Sequence, residues 1–496
     1  MEKKKFTVII SAALALAILT IVAFFLFDTG TKPGGGSAEP GEHEHSFKQG
    51  KTCSICGVIS EEYLTFILNK DGTYTITGHT FESSPVYRTS IDYGWYTGVE
   101  VLKLPDTYNG KPVTAIGNNA FTKVINFEKL HIPSSITTIG KRAFYSCTHL
   151  KEVKFSGGAT YVNSEAFADC SSLEKVNLSE KTEYIGANAF RNCRELSKIE
   201  LNEGLLEIYS GVFSGCTNLT EVTVPASVTF IEKNAFKGTC EGFALAVAEG
   251  NKLYQSKNNC LIETESKTLI WGNELSEIPA DGSVVSIGKE AFAYCDKLNG
   301  IVIPQSVKEI GERAFYRCKA LETVTVLSAA EKIGIEAFAD CETLTEVSLA
   351  EGLTEISSGM FMDCVFLENM VIPDSVKKIG SSAFENCRNL TEVVIPEGVT
   401  EMGFSAFKGC ETLKIAVVPN GVTGLNEYVF YQCTSLETLI IPENVKTIAG
   451  SALSECDNLT EITYLGTVEE WDAIAKKGIK GDYIVRCTNG DTPFEE

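Results

Sequence analysis

CDKLNGIVIPQSVKEIGERAFYR, residues 295–317, is followed at Cys318 by the start of another copy of the same pattern. The unit is 23 residues long, and its register is marked by an aromatic in the box I-G-x-x-A-F. That aromatic recurs at Phe121, Phe144, Phe167, Phe190, Phe213 and Phe236, then at Phe292, Phe315, Phe338, Phe361, Phe384, Phe407 and Phe430, with Leu453 in the last copy. Successive markers are 23 apart except from Phe236 to Phe292, where the gap is 56, so one copy is enlarged.

A fixed period in the twenties, with leucine and valine at L-x-x-V-x-I, is the mark of a leucine-rich-repeat solenoid. In each copy the V-x-I alternation sends two side chains inward and one outward, as a short strand requires. Stacked copies then form a parallel sheet. The predicted fold is an α/β-type solenoid, a right-handed superhelix of about sixteen strands extending on the order of 70 Å along a concave face.

The pattern I-P-x-x-V-x-x-I-G-x-x-A-F-x-x-C-x-x-L resembles the BspA-type leucine-rich repeats of bacterial and protozoan surface proteins, over roughly residues 100 to 465. It departs from the general repeat consensus in placing its Cys after the A-F box. The resemblance implies an atypical C-terminal cap, and attachment to host extracellular proteins and to other cells.

Twelve of the 17 cysteines occupy one repeat position: Cys147, Cys170, Cys193, Cys216, Cys295, Cys318, Cys341, Cys364, Cys387, Cys410, Cys433 and Cys456. Stacking keeps equivalent Cβ atoms about 4.8 Å apart, whereas a disulfide wants about 3.8 Å, so a ladder of buried thiols is expected over disulfides.

The chain has 43 basic and 65 acidic residues, a net charge of −22 spread through the repeats. Such a surface repels nucleic acid and anionic lipid. All five histidines lie at or before His149, which excludes a Ser-His-Asp or Cys-His device from the main body. No phosphate-binding glycine loop stands at a strand-helix junction. No enzyme is expected.

Residues 1–27 read as a cytoplasmic tip and signal anchor. Three lysines precede Phe6–Phe27, 22 residues without a charge, enough for a helix to span about 30 Å of hydrocarbon. The lysines hold the N-terminus in the cytoplasm and put the repeats outside, a single-pass cell-membrane protein. Residues 28–46 read as a flexible linker. In the segment 47–98, Cys53 and Cys56 form a knuckle that, with His43 and His45 just before it, could hold a structural zinc ion. A local Cys53–Cys56 disulfide and a solvated His-rich tether are the alternatives. A hairpin of Tyr63–Leu68 and Thr73–Thr77 about the turn Asn69-Lys70-Asp71-Gly72 is expected to cap the first repeat.

Within the solenoid, residues 99–465, the insertion at about 248–280 contains a second hairpin, Cys260–Ile262 with Thr268–Trp271. Trp271 either anchors it as decoration or belongs to a binding loop. Leu275–Pro279 resembles a normal strand, which would let the sheet continue. Residues 466–496 read as the C-terminal cap.

The outward residue of each strand is the candidate contact surface. Early copies present Lys103, His131, Lys154, Asn177, Glu200, Thr223, Ala246 and Glu277, mostly polar. Late copies present Val302, Thr325 and Ser348, then Val371, Val394, Val417 and Ile440, before Thr463. With Ile415 beside Val417, these four make an apolar stripe, rimmed by Glu346, Glu392 and Thr438. The expected partner is a host or bacterial surface protein or glycan. The alternatives are a structural envelope spacer without a ligand and, less favoured, a hydrolase.

Overall fold

The computed structural model describes residues 64–79, 99–125, 127–232, 234–239, 242–477 and 484–493. His43, His45, Cys53, Cys56 and the apolar segment 6–27 lie outside the described residues. Among the described residues, no helix is long and apolar enough to cross a membrane.

Each 23-residue copy forms one coil of a parallel β-solenoid. The V-x-I segment makes a strand of two to six residues on a front sheet, as in Gly300–Ile303, Thr323–Val326 and Glu346–Leu349. The segment ending at the I-G box makes a two-residue strand on a second sheet, as in Glu309–Ile310 and Lys332–Ile333. Neighbouring front strands pair in parallel one period apart: Ile301 opposes Val324, which opposes Val347. Alternation works as read from the sequence, since Ile301 and Ile303 are buried while Val302 is exposed.

The outer arc of each coil is turn rather than helix, and the α/β-type expectation is corrected there. The physical reason is a pair of left-handed residues that flank each A-F box. Arg313 and Arg317 have φ of 55° and 59°, Glu336 and Asp340 have 53° and 58°, and the same two places recur along the chain. A residue at positive φ cannot propagate an α-helix. The only α-helix among the described residues is Val468–Ala473, opened by a capping box between Thr467 and Glu470.

The A-F phenylalanines stack face to face inside the coils. Centroids are 5.2 Å apart between Phe315 and Phe338 and 5.8 Å between Phe338 and Phe361, with planes within 9° of parallel. Beside this stack run the twelve ladder cysteines, none of them in a disulfide. Each ladder thiol except Cys295 donates to the carbonyl of the phenylalanine 26 residues earlier, as Cys341 does to Phe315 at 3.2 Å and Cys456 to Phe430 at 3.1 Å; Cys295, next to the enlarged copy, donates to Gly272 O at 3.5 Å instead. Burial pushes the Cys193, Cys410 and Cys433 thiols well up, and that of Cys456 up to about 12. A thiolate is the reactive form, so these groups are inert. In native protein a thiol reagent is therefore expected to label half-buried Cys487 and Cys295, the one ladder member not fully enclosed, and to spare the other eleven ladder thiols until denaturant is added. Fast native labelling of Cys341 or Cys364, read by mass spectrometry, would contradict this arrangement.

The ends and the insertion are built differently. Leu64–Leu68 pairs antiparallel with Tyr74–His79, which joins the second sheet beside Lys111–Ile116. The His79 ring lies over Phe121 at 5.6 Å and closes the end of the phenylalanine stack. At the other end Ile484–Cys487 extends the front sheet beside Glu461–Tyr464 and folds back on Gly490–Pro493. In the enlarged copy Tyr254–Lys257, Cys260–Glu263 and Thr268–Trp271 form an antiparallel meander, whose last strand runs parallel to Ser286–Ile287 of the second sheet.

Leu275–Pro279 is not a strand, so the front sheet stops after Ala244–Val247 and resumes at Gly300–Ile303. Ser276 and Ile278 are buried about exposed Glu277, the alternation of a strand. Yet the place beside them is taken by the turn at Asn258 and Asn259, both left-handed. Glu277 N donates to Asn258 O at 3.2 Å and Ser276 Oγ to Asn259 O at 2.7 Å, in place of a ladder.

Candidate functional site

The front sheet is hydrogen-bonded in segments, and its outward rows can be followed from register. Val371 opposes Val394, Ile415 opposes Thr438, and Val417 opposes Ile440. Relative exposure is 75% for Val371, 72% for Val394, 55% for Ile415 and 43% for Val417, high for β-branched apolar side chains. Ile440 and Thr438 are half-buried, and Glu346 and Glu392 are exposed. Between Glu392–Val394 and Ile415–Val417 the ladder breaks, so the stripe is carried on two adjoining segments of sheet.

Two residues of this face went unnoticed in the sequence because they belong to the cap. Ile484, exposed, stands opposite Glu461 and continues the row of Ile415 and Thr438. Arg486 stands opposite Thr463 and pairs with Glu461 at 2.7 Å and Asp491 at 3.2 Å. The strand period carried past residue 464 would have found both.

The early half of the same face has another character. Lys103, Lys129, His131, Lys154, Lys175 and Lys198 project from five adjacent strands, with Glu152 and Glu200 among them. His131 is held below the usual imidazole range by partial burial, and then by the charges of Lys103 and Lys154. One sheet therefore presents a lysine-rich early end and an apolar late end.

Trp271 lies in the core at 7% exposure, edge-on to Phe236 at 6.1 Å and to Phe243 at 5.7 Å. It fills the gap that the enlarged copy leaves between Phe236 and Phe292, and Gly272 next to it lies flat against the Phe292 ring. With Phe236, Lys237, Glu290 and Tyr294 it walls a cleft of about 290 Å³. The Lys237 ammonium sits 3.7 Å from the centroid of the Tyr294 ring, and burial pulls its pKa down. Among the described residues no three His, Cys, Asp or Glu side chains converge as metal ligands.

Family comparison bears on what such a face is for. The model of the BspA-type leucine-rich repeat region matches residues 114–242, 265–370 and 354–477, in 6 copies. The chain belongs to the BspA-type leucine-rich-repeat family. Two solved structures share the fold of this BspA-type chain. A leucine-rich repeat protein from Bacteroides ovatus is 20% identical at a TM-score of 0.51, with 86% of this chain and 98% of that one covered. The pneumococcal vaccine antigen PcpA is 20% identical at a TM-score of 0.52, covering 88% and 99%. A leucine-rich cell surface protein from Faecalibacterium prausnitzii is 25% identical with a TM-score of 0.39, covering 85% and 98%. Comparison with curated proteins found no match. The matched family is a leucine-rich-repeat region, and no catalytic family is indicated.

Proposed function

We propose that this BspA-type chain is a membrane-anchored adhesin or ligand-capturing protein, held by residues 6–27 with its repeats outside the cell, that binds a surface protein or glycan of a host or another bacterium. The observation that carries this reading is the exposed row Val371, Val394 and Val417 on neighbouring strands, continued by half-buried Ile440 and widened by exposed Ile415 beside Val417. Contiguous exposed apolar surface is costly to keep in water, and where it is rimmed by polar groups it marks interaction sites. Glu346, Glu392 and Thr438 supply that rim here. Thr325 and Thr463 at the same register show that a polar β-branched residue suits the strand equally well, so strand preference alone does not call for four apolar ones.

Val394→Lys combined with Val417→Lys adds two charges to the face without touching the core. The expected result is an unchanged melting curve, with saturable binding on a panel of matrix and bacterial-surface proteins weakened about a hundredfold, the scale of losing two well-packed contacts. Unchanged binding to every partner found would move the function elsewhere, first to the hairpin around Trp271. Saturable binding of the unaltered protein to nothing on the panel would favour a structural spacer.

A further inference from the structure

The second sheet carries a feature that the front-sheet reading does not use. Its two-residue strands begin with a residue that faces out, and in most copies this is small or charged: Ser286, Glu309, Lys332, Glu355, Lys378, Glu401, Gly424 and Thr447. Around the middle of the early half it is aromatic instead. Tyr161 opposes Tyr184, which opposes Glu207, which opposes Phe230. Tyr209, two residues after Glu207, leans into the place that Glu207 leaves in the row. Ring centroids then follow one another at 6.2 Å from Tyr161 to Tyr184, 4.9 Å to Tyr209 and 5.4 Å to Phe230, with each ring tilted about 50° to the next. Tyr161 and Phe230 are 46% and 41% exposed, and neither belongs to the internal phenylalanine stack.

Tyr209 also breaks a packing rule. Its place is the glycine of the I-G box, where coils approach so closely that a Cβ at Gly186 would stand 2.6 Å from Ser164 N. Several copies without glycine compensate with a side chain that donates to the carbonyl of the preceding coil, as Asn163 does to Ile139 at 2.8 Å and Asn426 to Met402 at 2.6 Å. Tyr209, like Glu232, supplies no such donor, but where Glu232 N still reaches Ile208 O at 2.8 Å the bond from Tyr209 N to Ile185 O is 3.3 Å, against 2.8 Å at Gly140 and Gly186. A residue that loosens the stack and spends its ring on the surface marks a site selected for something other than folding.

We infer that this ridge binds an extended, uncharged polysaccharide lying along the stacking axis. Four rings in line offer aromatic faces to the C–H faces of successive sugars, over a length that a single small ligand would not use. The flanking groups set the rest of the chemistry. The Tyr209 hydroxyl donates to Glu207 at 3.0 Å, leaving that carboxylate's remaining acceptor sites for sugar hydroxyls. Burial, then the charges of Glu207 and Glu232, push the Tyr184 phenol up, so both carboxylates act on the ridge. Two carboxylates in a chain of net charge −22 repel an anionic polymer.

The test is affinity electrophoresis of the full-length chain through gels containing soluble glucan, mannan or arabinoxylan, with polygalacturonate as the anionic control. The informative variant is Tyr184→Glu with Tyr209→Gly, which installs the residues that other copies hold at these places and so keeps the fold. Retardation by at least one neutral polymer is expected, weakened about tenfold or more in this variant and unaltered in Val394→Lys/Val417→Lys. Retardation by none of the neutral polymers, equal retardation of the variant, or binding to polygalacturonate alone would overturn the inference. So would displacement by tetramethylammonium, which would identify the rings as a cation site.

Discussion

Phe338→Ala is expected to cost about 3 to 5 kcal/mol, the range for emptying a fully packed aromatic site. The ring is fully buried and stacked on Phe315 below and Phe361 above, so removing it leaves a void that neither neighbour can fill without giving up its other contact. In a solenoid each unit is stabilised by its two neighbours, so the loss is concentrated at one point and uncouples the coils on either side. Calorimetry should show the unfolding transition broaden or split, and amide exchange should rise first around residues 315–361. A melting profile identical to that of the unaltered protein would contradict the stack as the source of cohesion.

Gly334→Val is the second large effect, at about 3 kcal/mol of destabilisation. Gly334 N donates to Ile310 O at 2.8 Å, and a Cβ there would lie 2.4 Å from Glu312 N and 2.5 Å from Gly311 C. Both obstacles are backbone, so no rotamer change relieves them. The companion Gly334→Ala adds the Cβ alone and so isolates this cause. It should already lose about 1 to 3 kcal/mol. Melting of the Ala variant unchanged from the unaltered protein would show that close approach of the coils is not what this glycine serves.

These two sites differ in how visible they are in the sequence. Phe338 declares itself, because a 23-residue period repeats an aromatic in a fixed box, and stacking follows from the period alone. The inward positions are legible for the same reason. Gly334 shows only that something is constant, since its backbone clash depends on the distance between coils. The turns were hidden further. Arg313 and Arg317 take left-handed backbone without the Gly or Asn that announces it in other copies, as at Asn188, Asn192, Gly211 and Gly215, so the turn shows only when the copies are laid over one another. Leu275–Pro279 misled because alternation in Ser276, Glu277 and Ile278 reports burial, whereas a strand also needs a vacant edge, and the Asn258-Asn259 turn had taken it.

On the front face, outward positions follow from alternation, so the row through Val371 and Val394 was legible, while the break in pairing after Val394 was not. Tyr161, Tyr184, Tyr209 and Phe230 are spaced at or near the period and were open to the same count, had it been made for the second sheet.

The thiol ladder has a consequence for ancestry. Within each regular tract every ladder sulfur finds its acceptor at a constant offset in the preceding coil, and the backbone amides and stacked rings keep constant offsets as well. Excising or duplicating one 23-residue cassette within the regular tract leaves the ladder thiols and backbone amides facing acceptors of the same kind at the seam. Unequal crossing-over between such cassettes can thus lengthen or shorten the molecule in whole coils, while the enlarged copy, whose partners are irregular, stays as the fixed landmark between two stretches free to grow.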